Sequence, residues 1–489
     1  MTNCAPEHVM FTVLKNVAVD GSVPRVGQLA LPKRKRIDTP NFFALSSRGA
    51  IPHMTPDVIS KHTELNGSYM ALEDFVEKSQ KRLEPAVFKI DSGERDPLHA
   101  YTATPTPLAT VLGARRHPAV VAPMGNGKDY ISIYTSTGFQ KLKNKEYCKA
   151  VEILHPDIAI PLADLTFGYS HMRTKLPNPK RQLRMVERTE DWLVELIKLR
   201  NAEENRTAIF APLLPVSYPT QWEYLNRISQ DYVQQLSGLA VYDADILPDL
   251  KAHESLDLLP RLSMDFITSP HEVLRQIRLG MDMFTLTFIN TASDAGIALT
   301  FSFPPTETPS SDVNPLGIDM WSPAHQISLN PLSDGCSCYA CTKHHRAYLQ
   351  HLLNAKEMLG WTLLQIHNHH ILNEFFSGIR ASLTAGPSTF ERDYEVFSRT
   401  YETELPKGTG ERPRARGYHF KTEGGQSKMN TPAWEKFDAG GTEDPALAAE
   451  MAGRAVTGTA AEGVETPLVP DPSDDAEDLD KKGFAEIDQ

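Results

Sequence analysis

The sequence predicts an α/β fold, a (β/α)8 TIM-type barrel, and three observations predict it. Short apolar runs recur after Pro118, with amphipathic stretches between several of them. Strand and helix patterns alternating over about 200 residues imply a parallel sheet, and the number of units suits eight-fold closure better than an open doubly wound sheet. No glycine-rich phosphate fingerprint follows a strand, and "GNGKD" at Gly125 has the character of a turn, which disfavours a dinucleotide fold.

Along the chain, the first element is a hairpin. "HVMFTVLKNV" and "RVGQLALP" alternate apolar and polar residues around the turn-rich "AVDGSVP", which predicts an N-terminal β-hairpin region. "AVVAPM", "DIAIPLA", "AIFAPLL", "GLAVYD" and "DMFTLTF" read as buried strands. Residues 181–199, "TQWEYLNRISQDYVQQL" and "PHEVLRQIRLG" carry apolar positions at helical spacing. The barrel, with everything built on it, is assigned to residues 1–400. Residues 401–489 are expected to be a disordered acidic tail, because residues 441–489 hold thirteen acidic and three basic side chains and few large apolar ones. That stretch carries −10 of the net charge of −12, so the body is close to neutral. No apolar run approaches the roughly 18 residues of a membrane span. The N-terminus lacks the basic start of a secretory or transit signal, so a cytoplasmic protein with reduced thiols is expected.

"GCSCYACTKHHRAYLQHLLNAKEMLGWTLLQIHNHH" places Cys336, Cys338 and Cys341 within six positions and adds six histidines after them. Three thiolates at that spacing converge in one tight loop, and zinc then needs a fourth ligand. Spacing alone leaves His344, His345, His367, His369 and His370 open. A closed set of three cysteines and a histidine has no vacant position, so the metal is expected to be structural.

The stretch from "NPLSDGCSC" to "LLQIHN" is similar to the zinc-binding region of the tRNA-guanine transglycosylases. Residues 25–59 resemble that family's opening hairpin and first strand. "TSTGFQ" stands where the family has Asp-Ser-Gly-Gly-Phe-Gln, and "GMDMFTLTF" where it has its nucleophile strand. The resemblance implies a barrel with an inserted zinc subdomain at about residues 330–385, one structural Zn2+, and Cys336, Cys338, Cys341 and His367 as its ligands. The implied chemistry is exchange of guanine for queuine at the tRNA wobble position through a ribosyl-enzyme intermediate, which needs two placed carboxylates.

Neither carboxylate stands in its place. Thr285 comes after Met283-Phe284 where the family has its nucleophilic Asp, and Asp282 lies at an odd offset that points to the other face of a strand. Thr135 replaces the Asp that opens the second motif, and Thr137-Gly138 stands for Gly-Gly. In "LADLT" either Ala163 replaces a base-reading Asp or a one-residue slip keeps Asp164; "APLLP" replaces a glycine-rich loop. The pattern resembles the family's non-catalytic eukaryotic branch, so no catalytic residue is assigned. The resemblance implies a heterodimer with a catalytic queuine tRNA-ribosyltransferase subunit, tRNA as the shared substrate, and a peripheral place on the mitochondrial outer membrane. Two alternatives stand beside it: an active enzyme with carboxylates moved to Asp164 or Asp294, and a zinc-stabilised barrel with an unrelated role. "KRKR" (33–36) and the spread Arg173, Lys175, Lys180, Arg181, Arg184 and Arg188 are candidate phosphate contacts, each weighed against a solvated turn or helix face.

Overall fold

Strand β1 (Met10–Asn16) and strand β2 (Arg25–Ala30) pair antiparallel as the alternation predicts, and β3 (Ile37–Thr39) adds to β2. The computed structural model describes residues 10–16, 24–76, 85–120, 125–135, 138–165, 177–202, 207–305, 313–411 and 413. Barrel strands β4 (Asn41–Leu45), β5 (Gly67–Ala71) and β6 (Ala109–Gly113) come next. An antiparallel hairpin, β7 (Tyr130–Thr135) with β8 (Gly138–Lys143), stands outside the barrel. The barrel then continues with β9 (Ile158–Ala159), β10 (Ala208–Leu213), β11 (Gly238–Val241), β12 (Arg261–Ser263) and β13 (Met283–Thr285). All eight are parallel, and β13 closes on β4 with Phe284 opposite Phe42. The expected (β/α)8 barrel is therefore the fold.

Side chains alternate along each strand, so one residue in two fills the interior. Phe43, Leu45, Tyr69, Val111, Ile158, Phe210, Leu262 and Met283 form that interior layer, while Phe42, Leu112, Ile209 and Phe284 face the helices. The third strand is "ATVLG", not the predicted "AVVAPM", of which residues 121–124 lie outside the described residues. A five-residue strand buried on both faces needs no long apolar run. Its buried Thr110 is satisfied by Asp157, which accepts from the Thr110 amide at 2.8 Å and its hydroxyl at 3.0 Å.

The N-terminal sheet floors the barrel, because Leu29, Leu31 and Ile37 join the interior layer. Here "KRKR" finds its use. Arg34 is buried and pairs with Asp157 at 2.8 Å and with Asp96, at the end of the barrel opposite the mouth. It is neither a phosphate contact nor a solvated turn. Nearby, Arg25 holds Asp282 through two hydrogen bonds of 2.8 and 2.5 Å, and Asp282 also accepts from the Arg261 amide at 2.8 Å. Removing one partner of a buried pair strands the other in low dielectric. Asp282→Ala should therefore lower the unfolding free energy by about 3–5 kcal/mol, read as a shifted urea midpoint.

Helices Pro179–Ala202, Tyr218–Arg227 and Pro270–Arg278 match the predicted periodic stretches. After β13 come the short helix Phe288–Asp294, the hairpin β14 (Ile297–Leu299) and β15 (Gly317–Asp319), the cysteine loop, and helix Arg346–Asn354. Helix Met358–Ala385 then returns to the barrel, where Phe376 stacks on Phe42 at 5.4 Å and lies 5.7 Å from Phe284. It covers the seam at which the barrel closes, so the cysteine unit is inserted between the last strand and its covering helix. Gly386 at φ +140° and Pro387 at the next helix's first turn break the chain there.

The body does not stop at Tyr401. Tyr401 is buried and bridges to Asn314, the Glu402 amide donates to the Asn314 carbonyl at 2.9 Å, and Thr409 donates to Asp319 at 2.6 Å. Glu411 pairs with Lys356 at 2.7 Å. The boundary expected at 401 thus falls at least ten residues further on, because Leu405 and the glycines of "PKGTG" let a polar segment lie flat on the body. The remaining acidic stretch lies outside the described residues. No helix among the described residues is long and apolar enough to cross a membrane.

Candidate functional site: the cysteine cluster and the barrel mouth

Cys338 caps the short helix Tyr339–Lys343, its sulfur accepting from the Cys341 amide at 3.3 Å, and this turn brings the three sulfurs together. His367 enters from the long helix. Its Nδ1 lies 3.7, 3.5 and 3.4 Å from the sulfurs of Cys336, Cys338 and Cys341. A tetrahedral ion with Zn–S near 2.3 Å and Zn–N near 2.0–2.1 Å would set that sulfur–nitrogen edge at about 3.6 Å. All four ligand atoms lie within 4.8 Å of one another, so the group could hold a metal ion. The other ring nitrogen of His367 meets the Leu299 carbonyl at 2.8 Å, which fixes the tautomer that leaves Nδ1 free as a ligand. Burial opposes a charge on His367, but the Cys336 and Cys341 sulfurs raise its pKa to about 9.

The other histidines have their own places. His345 caps helix Arg346–Asn354 by accepting from the Tyr348 amide at 3.2 Å, and His344 stacks on Tyr348. His369 is buried against Phe42, and His370 meets Ser337 at 3.4 Å. Sequence reasoning missed Asn368. Its side chain accepts from the Leu299 amide at 2.9 Å and donates to Ser293 and Ile297, pinning β14 against the long helix. Its place beside His367 was the available signal.

The barrel mouth lies at the C-terminal ends of the strands, where side chains from successive loops converge. Thr285 shares the parity of Met283 and points inward, and its hydroxyl donates to the Ser263 carbonyl at 2.9 Å. Asp282, of opposite parity, is spent on Arg25 at the floor. Thr135 donates to the Gly138 carbonyl at 3.0 Å and accepts from Gln140 at 2.9 Å. Asp164 is fully buried and accepts from Asn126 at 2.8 Å, Arg181 at 2.7 Å and Arg188 at 3.1 Å. Two guanidiniums and an amide thus occupy the carboxylate where a base would need it free. Asp294 is paired with His53 at 2.6 Å.

Two further mouth carboxylates were missed. Glu73 and Asp74 stand just after β5 in "LED" and are almost fully buried. Glu73 accepts from the Arg116 and Tyr134 amides at 2.7 Å each, and Asp74 accepts from the Arg116 side chain at 2.6 Å and the Arg48 amide at 2.9 Å. Burial raises the pKa of Glu73, and Arg116 opposes that rise. An acidic pair directly after a strand was the signal. The buried ones among these carboxylates, Asp164, Asp282, Glu73 and Asp74, are satisfied from within the chain, as buried charges must be.

Of "APLLP", Ala211–Leu213 end strand β10, and the turn that begins at Leu214 is closed in the same way. Gln221 accepts from the Leu214 amide at 3.2 Å and donates to the Leu214 and Val216 carbonyls at 2.8 Å each. The Gln221 side chain thus engages the backbone directly after β10. Of the second basic cluster, Arg181 and Arg188 are spent on Asp164, Lys180 and Arg184 are exposed on the first turns of their helix, and Arg173 and Lys175 lie outside the described residues.

Residues 20–403 match the family described as queuine tRNA-ribosyltransferase. The chain is 37% identical over 413 residues to the protein named queuine tRNA-ribosyltransferase accessory subunit 2 of Schizosaccharomyces pombe, covering 82% of this chain and 87% of that one. Proteins of the same name from Drosophila grimshawi and Culex quinquefasciatus are 29% and 27% identical, each over 76% of this chain and 88% and 86% of their own.

Proposed function

The chain belongs to the queuine tRNA-ribosyltransferase family, and we propose that within it the chain is a non-catalytic subunit that supports a catalytic partner in exchanging guanine for queuine in tRNA. One observation carries the reading: the cysteine–histidine clip is complete, while the two catalytic positions hold Thr285 and Thr135 with their hydroxyls engaged. The metal is zinc on this reading, held by Cys336, Cys338, Cys341 and His367 with no open position, so it supplies stability and not chemistry. The relatives' names support a heterodimer with tRNA as the shared substrate.

A surface beside the clip supports the partner role. Ile327 is 91% and Leu329 75% exposed, on a segment whose Ser328 and Asn330 carbonyls accept from the start of helix Arg346–Asn354. The rings of His62, Tyr339, His344 and Tyr348 form a chain of contacts across the same region. Exposed apolar groups of this size mark interaction sites when they cluster. The test is co-elution with a catalytic homologue in size-exclusion chromatography. Ile327→Asp with Leu329→Asp should weaken association at least tenfold while metal content and melting temperature hold. Failure of the unaltered chain to associate would sink the reading.

A further inference from the structure

Arg34, Arg181 and Arg188 are spent on buried carboxylates, and unpaired cations gather instead on the hairpin β7–β8 and the helix that follows it. Between positions 128 and 149 the chain carries Lys128, Lys141, Lys143, Lys145 and Lys149 against Asp129 and Glu146. All five lysines are exposed, and none is ion-paired among the described residues. The register sets most of them in a row. Tyr130 stands opposite Lys143, Ser132 opposite Lys141 and Tyr134 opposite Phe139, so these six share one face of the hairpin. The other face, with Ile131, Ile133 and Leu142, is buried in the core. Lys141 and Lys143 are thereby held on the outside about 7 Å apart. Lys141 lies over the Tyr130 ring at 5.2 Å, and the exposed Phe139 tilts against Tyr134 at 4.8 Å. Helix Asn144–Leu154 starts directly after Lys143, whose amide donates to Glu146 at 2.9 Å. Its Lys145 and Lys149, about one turn apart, extend the row while Tyr147, Val151 and Leu154 pack inward. The Tyr134 end of the hairpin is anchored at the barrel mouth. There the Tyr134 amide donates to Glu73 at 2.7 Å and its carbonyl accepts from Arg116 at 2.5 Å. The row therefore starts at the mouth and runs outward.

We propose that this hairpin face and the helix after it are an RNA-docking surface, on which Lys141, Lys143, Lys145 and Lys149 follow the phosphates of a strand leading to the barrel mouth. The proposal rests on the reading that this chain works on tRNA. Cations that neutralise phosphates release counterions, which gives affinity without any base-specific contact. Such a surface has to be local here, because the body as a whole is close to neutral and the acidic residues 441–489 would repel a polyanion. Unpaired lysines meet that need, since a cation already held by a buried carboxylate has little attraction left for a phosphate. An anionic membrane is the competing partner for a basic row. Membrane-surface helices need an apolar face to insert, whereas the apolar face of helix Asn144–Leu154 is turned into the core. Phe139 is the one large apolar side chain that the described residues of the hairpin and helix expose. That pattern favours RNA.

The experiment titrates the full-length chain into a fluorescent anticodon stem-loop RNA at increasing KCl, with anionic phosphatidylserine vesicles as a second probe. Lys141→Ala combined with Lys143→Ala, Lys145→Ala and Lys149→Ala should lower the log–log salt slope by about 3, from roughly 0.7 per phosphate contact, and weaken binding about tenfold or more at low salt. The same four lysines changed to arginine should bind as the parent does, which separates lost charge from lost structure. Lys33→Ala with Arg36→Ala, at the end of the barrel opposite the mouth, should leave the slope unchanged. A parent slope in the alanine variant, an arginine variant as weak as the alanine one, or binding to vesicles but not to RNA would each overturn the surface. The alanine variant should still co-elute with a catalytic homologue. Failure of the docking surface and failure of the accessory reading are therefore separate results.

Discussion

Replacing Cys338 with serine should release the bound metal and lower the melting temperature on the order of 10 °C, because structural metal binding is coupled to folding and the clip ties the cysteine loop to helix Met358–Ala385. The sulfurs sit at and just before the short helix Tyr339–Lys343, and His367 sits on the helix that covers the barrel seam. Binding free energy at a structural zinc site is folding free energy, with apparent values of about 10–16 kcal/mol in small peptides. The packing of Trp361, Leu349 and Leu353 around the loop would retain part of the local structure in a domain of this size. Elemental analysis of the parent should find one zinc per chain, and the serine variant close to none. The pH dependence has a definite sign. Without metal, His367 keeps a proton up to about pH 9 through its contacts with Cys336 and Cys341, after burial has pulled the other way. Metal must displace that proton, so affinity falls as pH falls. Well-folded parent protein free of any metal would refute the structural role.

The parts of this molecule legible in its sequence are those where local chemistry and global need coincide. Residues 336–341 announce a metal loop because three thiols in six positions have few other uses in a reduced chain. Runs such as "AIFAPLL" and "GLAVYD" announce barrel strands because both faces are buried. The third strand is hard to place because "ATVLG" is short and includes Thr110, whose burial is tolerable only through Asp157, 47 positions away. Arg34 hides for a similar reason. A run of four cations looks like a surface patch until the fold brings Asp96 and Asp157 to one of them. The closing of Asp164 by Arg181 and Arg188 is likewise hidden in a helix whose basic residues look solvated.

Purified alone, the chain should release no guanine from tRNA, and mixing it with a catalytic homologue should give exchange at or above that homologue's own rate. General acid–base assistance is worth about 10²–10⁴-fold, and a carboxylate nucleophile opens the covalent route in the first place. Thr285 can supply neither, since its hydroxyl donates to the Ser263 carbonyl and no base stands beside it among its contacts. Thr285→Asp should not restore turnover. It would place a carboxylate against that same carbonyl in the barrel interior, and Asp164 would still be held by two arginines. The assay uses labelled guanine in tRNA and compares this chain, the homologue, and the mixture. Turnover by this chain alone that disappears in Asp164→Asn or Asp294→Asn would reassign the reaction to a relocated site. The geometry argues against it, because a catalytic carboxylate must be free to meet the ribose or the base. Asp164 has spent both oxygens on Asn126, Arg181 and Arg188, and Asp294 has spent one on His53. A mouth so thoroughly satisfied by its own side chains is stable without substrate, which suits a subunit that keeps the barrel for its outer surface.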